Sequence, residues 1–273
     1  MKATSVTHLL EESRTLALLN TNFVNPIKLA GAKLLIEPPK GQRLDFTGIG
    51  TAYDYWVRSQ LVPRNKDLIT SFLGFQVCVE RYGDNKRTSK ALNQHVDAIL
   101  TSSRGTPESQ EGLLKACLFL AKFEIEYRSP YPVESLEIAA HNVAELGRIA
   151  SGTDLGRFKK PNLILNPIFC VEGSKLKIHA DGDIVVDNVL IDLKTSSRLA
   201  LKENLRQLIV YWTLNDLAYK DRRIDRLGVY YPRFNYSVDF SPSDLMSSSQ
   251  YATIKTFISS RLGKWIRACR SNS

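Results

Sequence analysis

Apolar positions recur at three- and four-residue steps through the first 150 residues, and the strict alternation of a half-buried strand is scarce there. That pattern predicts helices over residues 8–20, 48–61, 67–82, 86–102, 108–127 and 133–149. Pro107 at the head of the fifth and Pro132 just before the sixth are ordinary start signals. A glycine-containing basic stretch over residues 151–161 then changes the character of the chain. Residues 162–170, 175–186 and 189–195 read as successive strands, 199–219 as a helix, 227–231 and 236–240 as two more strands. A long closing helix is predicted over 241–269, with Pro242 and Asp244 at its start. The order calls for an α/β fold, a mixed sheet flanked by helices. It divides the chain into a mostly helical region, 1–155, and a core with its closing helix, 156–273. No internal repeat is visible.

The length of 273 residues suits one large domain or two modest ones. With 43% apolar and 24% charged residues the chain has the make-up of a soluble globular protein, which excludes collagen, disorder and a disulfide scaffold. No apolar run approaches a membrane span, and the first ten residues lack a signal-peptide core, so a reducing cytoplasm is expected. Cys78, Cys117, Cys170 and Cys269 lie far apart with no CxxC pair. They are read as small buried apolar residues rather than zinc ligands or disulfide partners. Lysine and arginine exceed the acids by nine, which points to a polyanionic partner.

The segment His179-Ala-Asp-Gly-Asp-Ile-Val-Val-Asp-Asn-Val-Leu-Ile-Asp-Leu-Lys194 carries the most chemistry. Asp187-Asn188 fits a two-residue hairpin turn, because both residue types tolerate positive φ. Val186 and Val189 then close the turn, Asp183 faces Asp192, and Asp181 faces Lys194. Alternation puts these four side chains on one face, with Ile184, Val186, Val189, Ile191 and Leu193 as the apolar positions around them. Two carboxylates directly opposite are about 5 Å apart and destabilising unless something sits between them. A divalent cation resolves the conflict, and a neighbouring ammonium can steady a hydroxide or a growing phosphate charge. An acid-x-base triplet alone is uninformative: about four are expected by chance and five are present. The triplet Asp192-Leu193-Lys194 differs by lying inside an apolar strand with a second acid upstream across a turn. A solvated hairpin with a charged outer face is the plain alternative.

The run Asp183…Ile191-Asp192-Leu193-Lys194-Thr195, followed by Gln207-Leu-Ile-Val-Tyr211, resembles the PD-(D/E)XK nuclease superfamily, and within it the RecB-like branch. The resemblance covers roughly residues 162–240 plus the helix at Gly50. It implies a restriction-endonuclease-like fold, Mg²⁺ or Mn²⁺ on Asp183 and Asp192 with the backbone carbonyl of Leu193, and Lys194 beside the nucleophile. Gln207 and Tyr211, one helical turn apart, are implied to hold the lysine or a phosphate; an ordinary amphipathic helix with Tyr211 in the core is the other reading. Gly50-Thr-Ala-Tyr-Asp54 matches the branch's Gly-Thr-x-x-His frame with Asp for His, so Asp54 is a further candidate ligand or a plain surface acid. Ala180 stands where the branch usually has Gly, which leaves Asp181 as an alternative to Asp183. With only Cys269 near the C-terminus, no iron-sulfur cluster is expected.

His8, His95, His141 and His179 form no metal-binding spacing, and only His179 has the parity of the acidic face. Arg261, Lys264, Arg267 and Arg270 recur at three-residue steps along the predicted closing helix, a row able to track phosphates. Residues 64–66, 159–160 and 220–223 add basic clusters. Together these features predict a metal-dependent nuclease acting on DNA rather than RNA, with no membrane partner. A catalytically silent nucleic-acid clamp on the same fold, or a helical protein-interaction module, are the alternatives.

Overall fold

The computed structural model describes residues 2–22, 31–102, 106–128 and 132–269. It is an α/β structure with a mostly helical first half. The chain begins with β1 (Lys2–Ser5), α1 (Val6–Glu11) and α2 (Ser13–Asn22), where a single helix over 8–20 is expected. The helical half follows: α3 (Phe46–Leu61), α4 (Lys66–Ser71), α5 (Leu73–Tyr82), α6 (Lys86–Thr101), α7 (Pro107–Arg128) and α8 (Ala140–Ser151). Helix α7 is its axis, buried almost continuously from Ala116 to Ala121.

Two departures here have tertiary causes. The helix expected over 67–82 breaks at Phe72, which is extended and fully buried with its ring stacked 4.3 Å from that of Tyr55. Residues 133–139, expected to be helical, are extended. Lys122 of α7 donates to the carbonyls of Ser135 and Glu137, and Glu126 accepts the Val133 amide at 2.9 Å, so the segment's backbone finds partners outside itself.

The second half builds two sheets from β2 (Leu163–Leu165), β3 (Val171–Gly173), β4 (Leu176–His179), β5 (Ile184–Val186), β6 (Val189–Leu193), β7 (Arg226–Tyr231), β8 (Tyr236–Phe240) and β9 (Ile266–Ala268). The five-stranded sheet runs β2-β5-β6-β7-β8, antiparallel except for the β6/β7 pair, and α9 (Leu201–Ala218) is the crossover that this parallel pair requires. A four-stranded sheet, β1-β4-β3-β9, lies beside it. The strand expected over 175–186 is therefore split between the sheets, and the one expected over 162–170 ends at Leu165, with β3 of the other sheet beginning just beyond it at Val171. Asn166 at φ 50° turns the chain after Leu165, and residues 180–183 bend the 175–186 stretch. The two bends bond to each other: Asn166 N to Asp183 O at 2.9 Å, Gly182 N to Pro167 O at 2.9 Å and Phe169 N to Ala180 O at 2.8 Å.

Alternation on β5 and β6 separates two cores. Ile184, Val186, Ile191 and Leu193 face the helical half, whereas Val185 and Leu190 face α9 together with Val6, Leu9 and Ile178. The N-terminal strand and helix thus pack with the second half of the chain.

The closing helix is also shorter than its periodicity suggests. It comprises α10 (Pro242–Leu245) and α11 (Ser248–Leu262), the latter started by a Ser247/Gln250 capping box and ended at Gly263, whose φ of 106° excludes helix. The chain then adds β9 antiparallel to β3, and Cys269 forms a disulfide with Cys170. This corrects the reading of all four cysteines as unpaired; Cys78 and Cys117 are free and buried. No helix among the described residues is long and apolar enough to cross a membrane.

Candidate active site

Asp187 and Asn188 occupy the left-handed region at φ 47° and 65°, and the hairpin closes with Val186 opposite Val189, Val185 opposite Leu190 and Ile184 opposite Ile191. Continued by one position, this register sets Asp183 opposite Asp192. Asp183 lies in the bend before β5, where its Oδ2 accepts the Leu193 amide at 2.6 Å. Asp192 stands on the α9 side of β6, in a position the strand would otherwise fill with a core residue, and is 4% exposed. Its Oδ1 is 3.0 Å from Lys194 Nζ, and its buried Oδ2 has no hydrogen-bond donor. Burial pushes Asp192 up to about 7 against the pull of Lys194, with the Asp183 charge adding to the rise. Burial alone would lower Lys194, but Asp192 and Asp183 keep its ammonium above the ordinary range.

Helix α9 completes this wall. Lys194 Nζ donates to Gln207 Oε1 at 3.3 Å, and Gln207 Nε2 donates to the Tyr211 hydroxyl at 2.6 Å. Tyr211 is buried, with its ring stacked on Phe169, and burial raises its pKa. A continuous relay therefore runs from Asp192 through Lys194 and Gln207 to Tyr211.

The opposite wall comes from α3. Asp54 lines the same cleft, of about 710 Å³, as Asp181, Asp183, Asp192, Lys194, Gln207 and Tyr211. Its carboxylate is engaged on both oxygens by Arg58, which also donates to Asn166 Oδ1 at 3.0 Å. Burial pushes Asp54 up to about 7, with Arg58 opposing and Asp183 adding to the shift. All the residues singled out for metal binding and catalysis, Leu193 included, thus line one cleft.

The donors suit a hard cation in part. Two facing carboxylates, one with a donorless buried oxygen, are what Mg²⁺ commonly takes from a protein, with waters and phosphate oxygens supplying the rest. Among the described residues no three His, Cys, Asp or Glu side chains are gathered into a ready-made ligand set.

Other expectations do not hold. Asp181 is bridged to Ile168 rather than paired opposite Lys194, because the bend at 180–183 ends the hairpin. The basic row of the closing helix is dispersed: Arg261 pairs with Glu12 at 2.6 Å, Arg267 on β9 pairs with Glu172 at 2.9 Å, and Lys264 follows the helix end. Arg270 lies outside the described residues. Arg222 stacks on Phe169 and Tyr219, and Arg223 pairs with Asp225.

Several cleft residues were not foreseen. Arg58 is 6% exposed despite its charge, and its four-residue step from Asp54 was a readable signal. Glu124 and Arg128 of α7 also line the cleft, paired at 2.6 Å. That step is equally readable, but nothing local relates α7 to the hairpin. Comparison with protein-family models and with curated proteins returns no match.

Proposed function

We propose that this chain is a metal-dependent nuclease with a restriction-endonuclease-like fold, of the PD-(D/E)XK superfamily and its RecB-like branch, hydrolysing phosphodiester bonds in DNA with Mg²⁺ or Mn²⁺. The observation that carries the reading is the buried Asp192, opposite Asp183 in register, with Lys194 at 3.0 Å and one carboxylate oxygen lacking a donor. Lys194 pairs one oxygen of this buried carboxylate, and the donorless second oxygen is left for a ligand from outside the fold.

Asp183 and Asp192, with the Leu193 carbonyl, would hold the cation; bound there, it lowers the pKa of water and neutralises the scissile phosphate. Lys194, oriented by Asp192 and Gln207, stabilises charge on the attacked phosphate or its nucleophile. Gln207 and Tyr211 fix the lysine's direction. Asp54 contributes a carboxylate only where Arg58 releases it. That engagement favours one second reading, a clamp that binds nucleic acid on the same fold without cutting it.

A digestion panel separates the two. Single- and double-stranded DNA and RNA, linear and circular, are incubated with Mg²⁺, Mn²⁺ or EDTA. DNA cleavage with either metal and none in EDTA is expected. Asp192→Ala and Lys194→Ala should each lower the rate at least about a hundredfold, with circular dichroism and DNA affinity retained. Intact substrate throughout, with salt-sensitive binding, would establish the clamp instead.

A further inference from the structure

Lys264 and Arg267, which helical periodicity sets on the closing helix, meet other cations on the four-stranded sheet instead. Side chains alternate there. Val171 and Ile178 pack inward with Ile258 and Leu262 of α11, so Glu172, Lys177 and Arg267 face outward. Glu172 stands opposite Lys177 on one side and opposite Arg267 on the other, which makes one row across β4, β3 and β9. Arg267 pairs with Glu172 at 2.9 Å, and its guanidinium lies over the Trp265 ring, 5.0 Å from the centroid.

Trp265 is 46% exposed, and its place is fixed by the backbone. The Lys175 amide donates to the Leu262 carbonyl at 2.8 Å and the Lys264 amide to the Ser174 hydroxyl at 2.9 Å, which seats residues 263–265 against the β3–β4 turn. The Cys170–Cys269 disulfide pins the other end of β9. The strand that presents Trp265 and Arg267 is thus held at both ends. Among the described residues, Lys175, Lys177 and Lys264 form no ion pair. With Arg267 they set four cations against the one acid, Glu172, and make this part of the sheet positive.

A positive face suits an anionic partner, and Trp265 narrows the choice. Docking on a lipid surface draws on a broad apolar area, whereas no residue of β3, β4 or β9 is an exposed large apolar one. A single nucleic-acid strand offers phosphates together with open base faces, and an exposed aromatic ring flanked by lysines engages both. We propose that the outer face of the four-stranded sheet is a binding site for single-stranded nucleic acid. A base stacks on Trp265, and the flanking phosphates lie on Lys177 and on Lys175 with Lys264. None of these residues lines the cleft, so the site stands whatever chemistry the cleft performs.

Fluorescence anisotropy of a short labelled oligo(dT), in EDTA so that no metal-supported cutting intervenes, tests this. Trp265→Ala should weaken binding about tenfold, and Trp265→Phe should keep most of the affinity. Lys177→Gln should lower the slope of log affinity against log salt by about 0.7. Both side chains reach solvent, so the variants should keep the wild-type circular dichroism. The tenfold loss should recur on an Asp192→Ala background, which sets it apart from the cleft. Wild-type affinity in folded Trp265→Ala, an unchanged slope in Lys177→Gln, or a loss that vanishes on the Asp192→Ala background overturns the proposal. So does Trp265-dependent sedimentation with phosphatidylserine–phosphatidylcholine vesicles in a protein whose oligo(dT) affinity ignores Trp265. Cleavage in Mg²⁺ or Mn²⁺, or its absence, decides the nuclease reading and changes none of these outcomes.

Discussion

Asp192 is 4% exposed in a strand whose neighbours Leu190, Ile191 and Leu193 are all buried and apolar. Its pKa of about 7, against 3.8 for an unperturbed Asp, has a thermodynamic consequence. Between roughly pH 4 and pH 7 the folded state keeps a proton that the unfolded state releases. Through this residue, folding stability therefore declines as pH rises across that window. Asp54, also raised to about 7, acts in the same sense. A cation held by the ionised carboxylates reverses the loss, because only the deprotonated forms are ligands. At pH 8, Mn²⁺ at a hundredfold excess over its Kd should raise Tm by about 5 °C, and at pH 5.5 by much less. Differential scanning fluorimetry measures both. An equal rise in Asp192→Ala would place the ion elsewhere. At this scale much was readable: Asp183, Asp192, Lys194, Gln207 and Tyr211 are tied by spacings of two, four and nine residues that strand and helix periods convert into proximity. The Arg58 clamp on Asp54 and the Glu124 anchor of Arg128 required knowing which helix faces the hairpin.

Elements were legible where their own dihedral preferences decide and obscure where packing decides. The hairpin is the clearest case, since Asp187-Asn188 tolerates the positive φ that its turn demands and the valines on either side fix the register. Periodicity could not show the break at Phe72 or the end of α11 at Gly263, because apolar residues continue at helical steps through both. Helix crossing also has an element-scale determinant in Gly74 of α5, where an added Cβ would run into the backbone carbonyl of Leu120 in α7. Two helix backbones meet there, with the Tyr55 hydroxyl alongside. Gly74→Ala should destabilise the fold by about 1–3 kcal/mol through overpacking, read from the urea midpoint. An unchanged midpoint would mean that the α5/α7 contact yields easily.

For the molecule as a whole, the Cys170–Cys269 disulfide ties the end of β9 to the strand it pairs with, across a separation of 99 residues. A loop of that size restricts the unfolded chain strongly, and a contribution of about 2–4 kcal/mol is typical. Reductant, or Cys170→Ser, should lower Tm by several degrees without altering the cleavage proposed for the cleft, since neither cysteine lines it. If reduced and oxidised protein melted together, the crosslink would be absent in solution. The spread of Cys78, Cys117, Cys170 and Cys269 gave no hint of which two meet, because pairing at that separation depends on β9 joining β3. Local periodicity, turn chemistry and acid spacing determined the helical first half, the hairpin and the residues of its acidic face. Those are short-range properties, set by sterics and alternation within a few residues. The tertiary structure alone decided that α3 and α7 form the opposite wall of the cleft, that residues 175–186 divide between two sheets and that the C-terminal basic row disperses. Each of these follows from burial and hydrogen bonding between segments far apart in the chain.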